Sequence, residues 1–138
     1  MQDRMDLISE LEQCFRLALR TMRKEMSVIF GDRINGAEFG VLKLLARKSP
    51  RIVTEIAQEF EVSVSHITHV VDQLVKKRLV QRIRSQSDKR VVELHLTEQG
   101  RALVEELSEK KRKYLLERFE PLSDGDLRKL CDLLHKLR

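Results

Sequence analysis

Apolar residues return at three- and four-residue steps along most of this chain, and the step shortens only after Leu79. From residue 5 to residue 30, Leu7, Leu11, Cys14, Ala18, Met22 and Ile29, with Ile8, Phe15, Leu19 and Met26 beside them, form the stripe of a long amphipathic helix. Gly31-Asp32 predicts its end. Asn35-Gly36 reads as a turn, and Phe39, Leu42, Leu45 and Ala46 open a shorter helix that stops before Ser49-Pro50. Thr54 is expected to cap a short helix carrying Ile56, Ala57 and Phe60. Ser63 is expected to cap another, with an inner face of Val64, Ile67, Val70, Val71 and Leu74. Then the period drops to two: Val92, Leu94 and Leu96 alternate with Glu93 and His95, the pattern of a half-buried strand. Val80–Arg84 is its expected antiparallel partner, with Ser85–Arg90 as the polar tip between them. Thr97 caps a last long helix to about Phe119, Pro121 breaks it, and Ser123 starts a terminal helix bearing Leu127, Leu130, Leu133, Leu134 and Leu137. The expected fold is mainly α with one two-stranded hairpin, in a single domain of 138 residues.

Composition narrows the class. With 41% hydrophobic residues the chain is too apolar to be disordered despite 36% charged residues. No apolar run exceeds three residues, so neither a membrane span nor a signal-peptide block is read, and a membrane is not an expected partner. The two cysteines, Cys14 and Cys131, give neither a disulfide framework nor a zinc spacing, and a cytoplasmic, reducing home is expected. No nucleophile elbow, Walker loop or glycine-rich dinucleotide turn is present, so neither an enzyme nor a cofactor is expected. His66 and His69 stand one turn apart without a third ligand nearby in sequence, which argues against a metal.

The net charge of +5 is concentrated. Residues 1–46 hold seven basic and seven acidic side chains and residues 91–138 hold ten of each, whereas residues 47–90 hold ten basic against five acidic. A focused excess is the footprint of a polyanion contact. It falls on the helix pair and the hairpin. Ala57 is small where two helices would cross, Val62 sits in the turn, and Ile67 follows ten residues after Ala57 on the inner face, which fits a helix-turn-helix. Glu61 stands where many such turns carry glycine. The second helix is left with Ser65, His66, Thr68, His69, Gln73 and Lys76 outward, all able to bond base edges or phosphates. Arg84, Lys89 and Arg90 on a narrow hairpin tip suit a groove too tight for a helix. Asp88 among these cations is best explained by an intramolecular bridge.

Thr54-Glu55-Ile56-Ala57, Leu74 through Val80, Arg82-Ile83-Arg84, Asp88-Lys89-Arg90 and Leu96-Thr97-Glu98-Gln99-Gly100 together resemble the winged-helix core of the MarR (multiple antibiotic resistance regulator) family. The similarity is densest over residues 52–101. The resemblance implies a homodimeric bacterial transcription factor, often a repressor, on a pseudo-palindromic duplex-DNA operator. Residues 37–96 would form the DNA-binding core, with 1–35 and 97–138 as dimerisation helices. In that family the helix matching Ser63–Lys77 reads the major groove. The wing matching Arg82–Val92 reaches the minor groove, with Arg90 at its tip and Asp88 orienting it. Arg51, Lys76, Lys77 and Lys89 are expected on phosphates. Arg78 occupies a position that is usually glycine, leaving either a left-handed turn or a different cap. The resemblance further implies a small phenolic or lipophilic effector in a crevice, for which Phe15, Met22, Phe39 and Leu42 are candidates. Two other readings stand beside this one. Cys14 matches the reactive cysteine of the family's peroxide-sensing branch, but Val28 and Phe39 fill the places of its tyrosines, and a small buried hydrophobe is the plainer expectation. The other is a winged-helix module that binds a partner protein.

Overall fold

The computed structural model describes residues 1–138, in the order α1 (Arg4–Phe30), α2 (Gly36–Arg47), α3 (Val53–Phe60), α4 (Val64–Lys76), β1 (Val80–Arg84), β2 (Val92–Leu96), α5 (Glu98–Arg118) and α6 (Asp124–His135). Two compact units result, residues 1–107 and 108–138. In the first, α2, α3 and α4 enclose the core: Leu42, Leu45, Ile56, Val71, Leu74, Leu94 and Leu107 are wholly buried. Each such side chain contributes roughly 1.5–3 kcal/mol by leaving water. Phe30, the last residue of α1, packs edge-on against Phe39 with ring centroids 5.1 Å apart.

The strands pair antiparallel, Val80 opposite Leu96 and Arg84 opposite Val92. The backbone of Arg51 covers the far edge of β2: its N–H donates to the Leu94 carbonyl at 3.2 Å, and the Leu94 N–H donates back at 2.7 Å. One short segment thereby ties the α2–α3 connection to the hairpin. Only the inner end of the sheet is dry. Val80 and Leu94 are buried, while Ile83 and Val92 are exposed.

Both helices of the helix-turn-helix end in the same way. Glu61 has φ +55° and Arg78 φ +62°. The N–H of Val62 donates to Ala57 O at 3.0 Å and that of Glu61 to Gln58 O at 3.2 Å. Leu79 likewise donates to Leu74 O, and Arg78 to Val75 O, both at 3.0 Å. These paired bonds close the helix ends as glycine-terminated helices do, but with charged residues in the left-handed position, at a cost of about 1–2 kcal/mol each. Arg78 therefore takes the left-handed turn rather than a different cap.

Thr97 joins three elements. Its Oγ1 donates to the Arg78 carbonyl at 2.9 Å and accepts from the Gly100 N–H at 3.0 Å, and its own N–H donates to Leu79 O at 3.1 Å. Gly100 has no room for a side chain: a Cβ there would be driven into the Leu79 carbonyl oxygen and stand 2.7 Å from Leu96 Cδ1.

Several local expectations are corrected. Thr54 does not cap α3; the N-cap is Ile52, which makes no side-chain cap bond, so Thr54 lies one residue inside the helix and points to solvent. Asn35 is the N-cap of α2, with a reciprocal bond to Glu38, and Gly36 is already helical. Val64 is exposed because the first turn of α4 extends beyond the core. Cys14 is exposed rather than buried; along α1 only Phe30 is buried, and Leu7, Leu11, Phe15 and Leu19 are exposed, as the open face of a dimerisation helix would be. In the second unit Ser123 caps α6, accepting from the Asp126 N–H at 3.0 Å, while Leu130, Leu133, Leu134, Leu137 and Cys131 are all exposed.

Candidate nucleic-acid interface

The inner face of α4 is fixed by Ile67, Val70, Val71 and Leu74, all buried. That rotation turns Ser65, His66, Thr68, His69 and Lys76 fully outward and leaves Gln73 half-buried at the margin. Ser63 spends its hydroxyl on the helix itself, accepting from the His66 N–H at 3.1 Å. The exposed N-terminal turns therefore carry hydroxyls and imidazoles without carboxylates, and Asp72 is the only acid on α4.

The wing is ordered by its own polar groups. The Ser85 N–H donates to Val91 O, and the Val91 N–H to Asp88 O, both at 2.9 Å. Ser85 Oγ, buried, sits 3.0 Å from Ser87 Oγ. Arg84 reaches along the hairpin and donates to the Lys89 carbonyl at 2.6 Å. At the tip, Asp88 Oδ1 accepts from Arg90 Nε and from the Arg90 N–H, each at 3.1 Å, while Oδ2 accepts from Nη2 at 3.3 Å. Arg90 is nevertheless 90% exposed. Its guanidinium, and then its backbone N–H, hold the Asp88 carboxyl below the ordinary aspartate range. A carboxyl lowered in this way keeps the clip intact at any pH above its ordinary value, and the clip is lost only as pH falls through the lowered one. Asp88 thus orients a cation without covering it.

The remaining cations divide by partner. Lys76 and Lys89 are exposed and make no ion pair. Arg82 is paired with Asp72 of α4, which braces the strand against the helix. Arg51 donates to Glu59 of α3 at 2.8 Å. Lys77 lies at the surface with its side chain 35% exposed, and its Nζ ends 2.9 and 2.8 Å from the two oxygens of the buried Glu38. Sequence reasoning missed Glu38, Glu59 and Asp72 in these roles. Only Glu38 left a local trace, in the Asn35-x-x-Glu38 spacing of a capping box.

The MarR family model matches residues 34–92, the stretch from the start of α2 to the wing. The transcriptional regulator YpoP of Bacillus subtilis, of the helix-turn-helix type, is 36% identical over 99% of this chain and 97% of its own length. The chain belongs to the MarR family. A solved MarR-family protein from Bacillus stearothermophilus covers 99% of the chain and 96% of its own with a TM-score of 0.76 at 26% identity. A MarR mutant from E. coli complexed with operator DNA superposes over 99% of both chains with a TM-score of 0.83 at 24% identity, showing the same fold. This MarR-family chain is therefore a DNA-binding transcriptional regulator with a winged helix-turn-helix, and not an enzyme. No helix is long and apolar enough to cross a membrane.

The crevice residues named from the resemblance differ in burial, with Met22 half-buried. Phe39 and Leu42 are core, whereas Phe15 is exposed on α1. A different concavity of about 480 Å³ opens beside the end of α4, lined by Arg33, Lys77, Leu79, Leu103 and Glu106 among others. Arg33 crosses it with a two-pronged bond to Glu106.

Proposed function

We propose that this chain acts as a homodimeric repressor in the cytoplasm, bound to a pseudo-palindromic operator. In this reading α4 enters the major groove, where Ser65, His66, Thr68, His69 and Gln73 meet base edges. The wing carries Arg90 into the minor groove, and Arg51, Arg82, Lys76 and Lys89 lie along the phosphates. The observation that carries it is Arg90, almost fully exposed at a hairpin tip yet oriented by both oxygens of Asp88. A narrow minor groove attracts such a preset guanidinium. Arg84 supports the wing from within through the Lys89 carbonyl.

Dimerisation is supported by the bare leucines of α1 and α6. One module buries only about 600–1,000 Å² on DNA, and two-fold symmetry doubles affinity and specificity together. Release by a small phenolic or lipophilic effector belongs to the same reading, supported by a cavity whose volume falls within the usual ligand range.

The test is a salt titration with a duplex enriched by the protein from a randomised pool. Affinity should fall by about 0.9 log unit per log unit of salt for each phosphate neutralised. Arg90→Ala should weaken binding by roughly ten- to a hundredfold. Equal, weak binding to every duplex, or an Arg90→Ala variant as tight as wild type, overturns the reading. A monomer at micromolar concentration overturns the dimer.

A further inference from the structure

Glu38 is the only acidic side chain the fold takes fully out of water, with 2% of it exposed. Its Oε1 accepts from the Asn35 N–H at 2.9 Å as half of the α2 capping box. Both oxygens also accept from Lys77 Nζ, which lies 39 residues later in the chain at the C-cap of α4. A carboxylate in this position must stay paired. If the ammonium swung out to a DNA phosphate, Glu38 would keep a single N–H donor for a buried charge, and removing one partner of such a pair costs far more than the pair contributes net. Lys76, the neighbouring residue, is exposed and unpaired, so this end of α4 already has a cation for the backbone.

We infer that Lys77 is a positioning residue: clamped by Glu38, it locks the C-terminal end of α4 to the N-terminus of α2 and sets the placement of the base-reading face, making no phosphate contact itself. The neighbouring bonds agree with this role. Thr97 ties the Arg78 carbonyl from the α5 side, and the Arg82–Asp72 pair braces α4 from the hairpin, so the Glu38–Lys77 pair supplies the attachment toward α2. The inference rests on the DNA-binding reading above.

The test compares wild type, Lys76→Met, Lys77→Met, Lys77→Arg and the double variant Glu38→Gln/Lys77→Met. Each is titrated over a potassium chloride series with two labelled duplexes, the pool-enriched one and a scramble of the same composition. Lys76→Met should lower the salt slope by about one and leave the preference between duplexes intact. Lys77→Met should keep the wild-type slope while its preference drops by about tenfold, the size of one misplaced base contact. Lys77→Arg should retain the preference, because a guanidinium can bridge both carboxylate oxygens. The double variant removes both charges, so it folds even if the buried carboxylate alone unfolds Lys77→Met, and it should show the same unchanged slope and reduced preference. Preference is a ratio of two affinities measured on one preparation, so partial unfolding does not move it.

A slope reduced by about one in Lys77→Met or the double variant makes Lys77 a phosphate contact and overturns the inference. So does an unchanged preference. Wild type that binds both duplexes equally overturns the DNA reading and this inference with it, whereas a discriminating wild type leaves only the inference at stake.

Discussion

Helices α4 and α1 carry the same signature, apolar positions at three- and four-residue steps, and the fold treats them in opposite ways. On α4 the stripe of Ile67, Val70, Val71 and Leu74 is buried against the rest of the core. On α1, 27 residues long, only Phe30 is buried, and Met5, Leu7, Ile8, Leu11 and Phe15 in its first half lie open. The periodicity is a statement about a helix face, and burial is a statement about what faces it. For α4 the covering surface is α2 and α3 of the same chain; for α1 the first unit supplies one only at the helix end, where Phe30 meets Phe39 and Met26 packs against the core. That asymmetry separates a helix packed within its own unit from one whose first half keeps its apolar side chains in water.

Mutations of equal chemistry should break this comparison or sharpen it. Leu74→Ala removes a fully buried side chain and should cost about 2–5 kcal/mol in urea denaturation. A loss below about 1 kcal/mol would mean that the inner face of α4 is not packed. Gly100→Ala pushes a methyl group into the Leu79 carbonyl and should cost about 1–3 kcal/mol, with a lower Tm in the same assay. Ser63→Ala deletes the α4 cap bond and should cost about 1 kcal/mol, read by the same denaturation curve. Leu11→Ala removes the same atoms as Leu74→Ala but from an exposed site, so it should cost the dissociated chain about 0.5 kcal/mol or less. In the proposed dimer any larger loss should grow with protein concentration, because there the packing would come from a second chain. A large loss independent of concentration would erase the distinction between the two helices.

How much of this was legible beforehand follows from the range of each interaction. Helix faces and the period-two strand depend on neighbours within a few residues, so α1, α4 and the hairpin were readable from spacing. Ser63, Thr97 and Ser123 were readable as caps because a cap bond spans three residues. Thr54 misled because Ile52 caps α3 by backbone geometry alone, which leaves no side-chain signal. The pairing of Lys77 was not legible, since its partner is 39 positions away and the residue type suits a phosphate equally well. Arg51 with Glu59 and Arg82 with Asp72 are hidden for the same reason. Cys14 was read as a small buried hydrophobe because the pattern carries no information about which surface covers it. The clip between Asp88 and Arg90 was the exception among the charges: a lone acid in a basic loop, two residues from its partner, declares its purpose locally.

The Thr97 junction bears on how movement travels through the molecule. Two hydrogen bonds from Thr97, to the carbonyls of Arg78 and Leu79, weld the tail of α4 to the start of α5, each worth about 1 kcal/mol. Tilting α5 about its own beginning must either shear those bonds or drag α4 along. Bonds of that size make it costly to tilt the first turn of α5 alone, so the start of that helix and the tail of α4 share their small displacements.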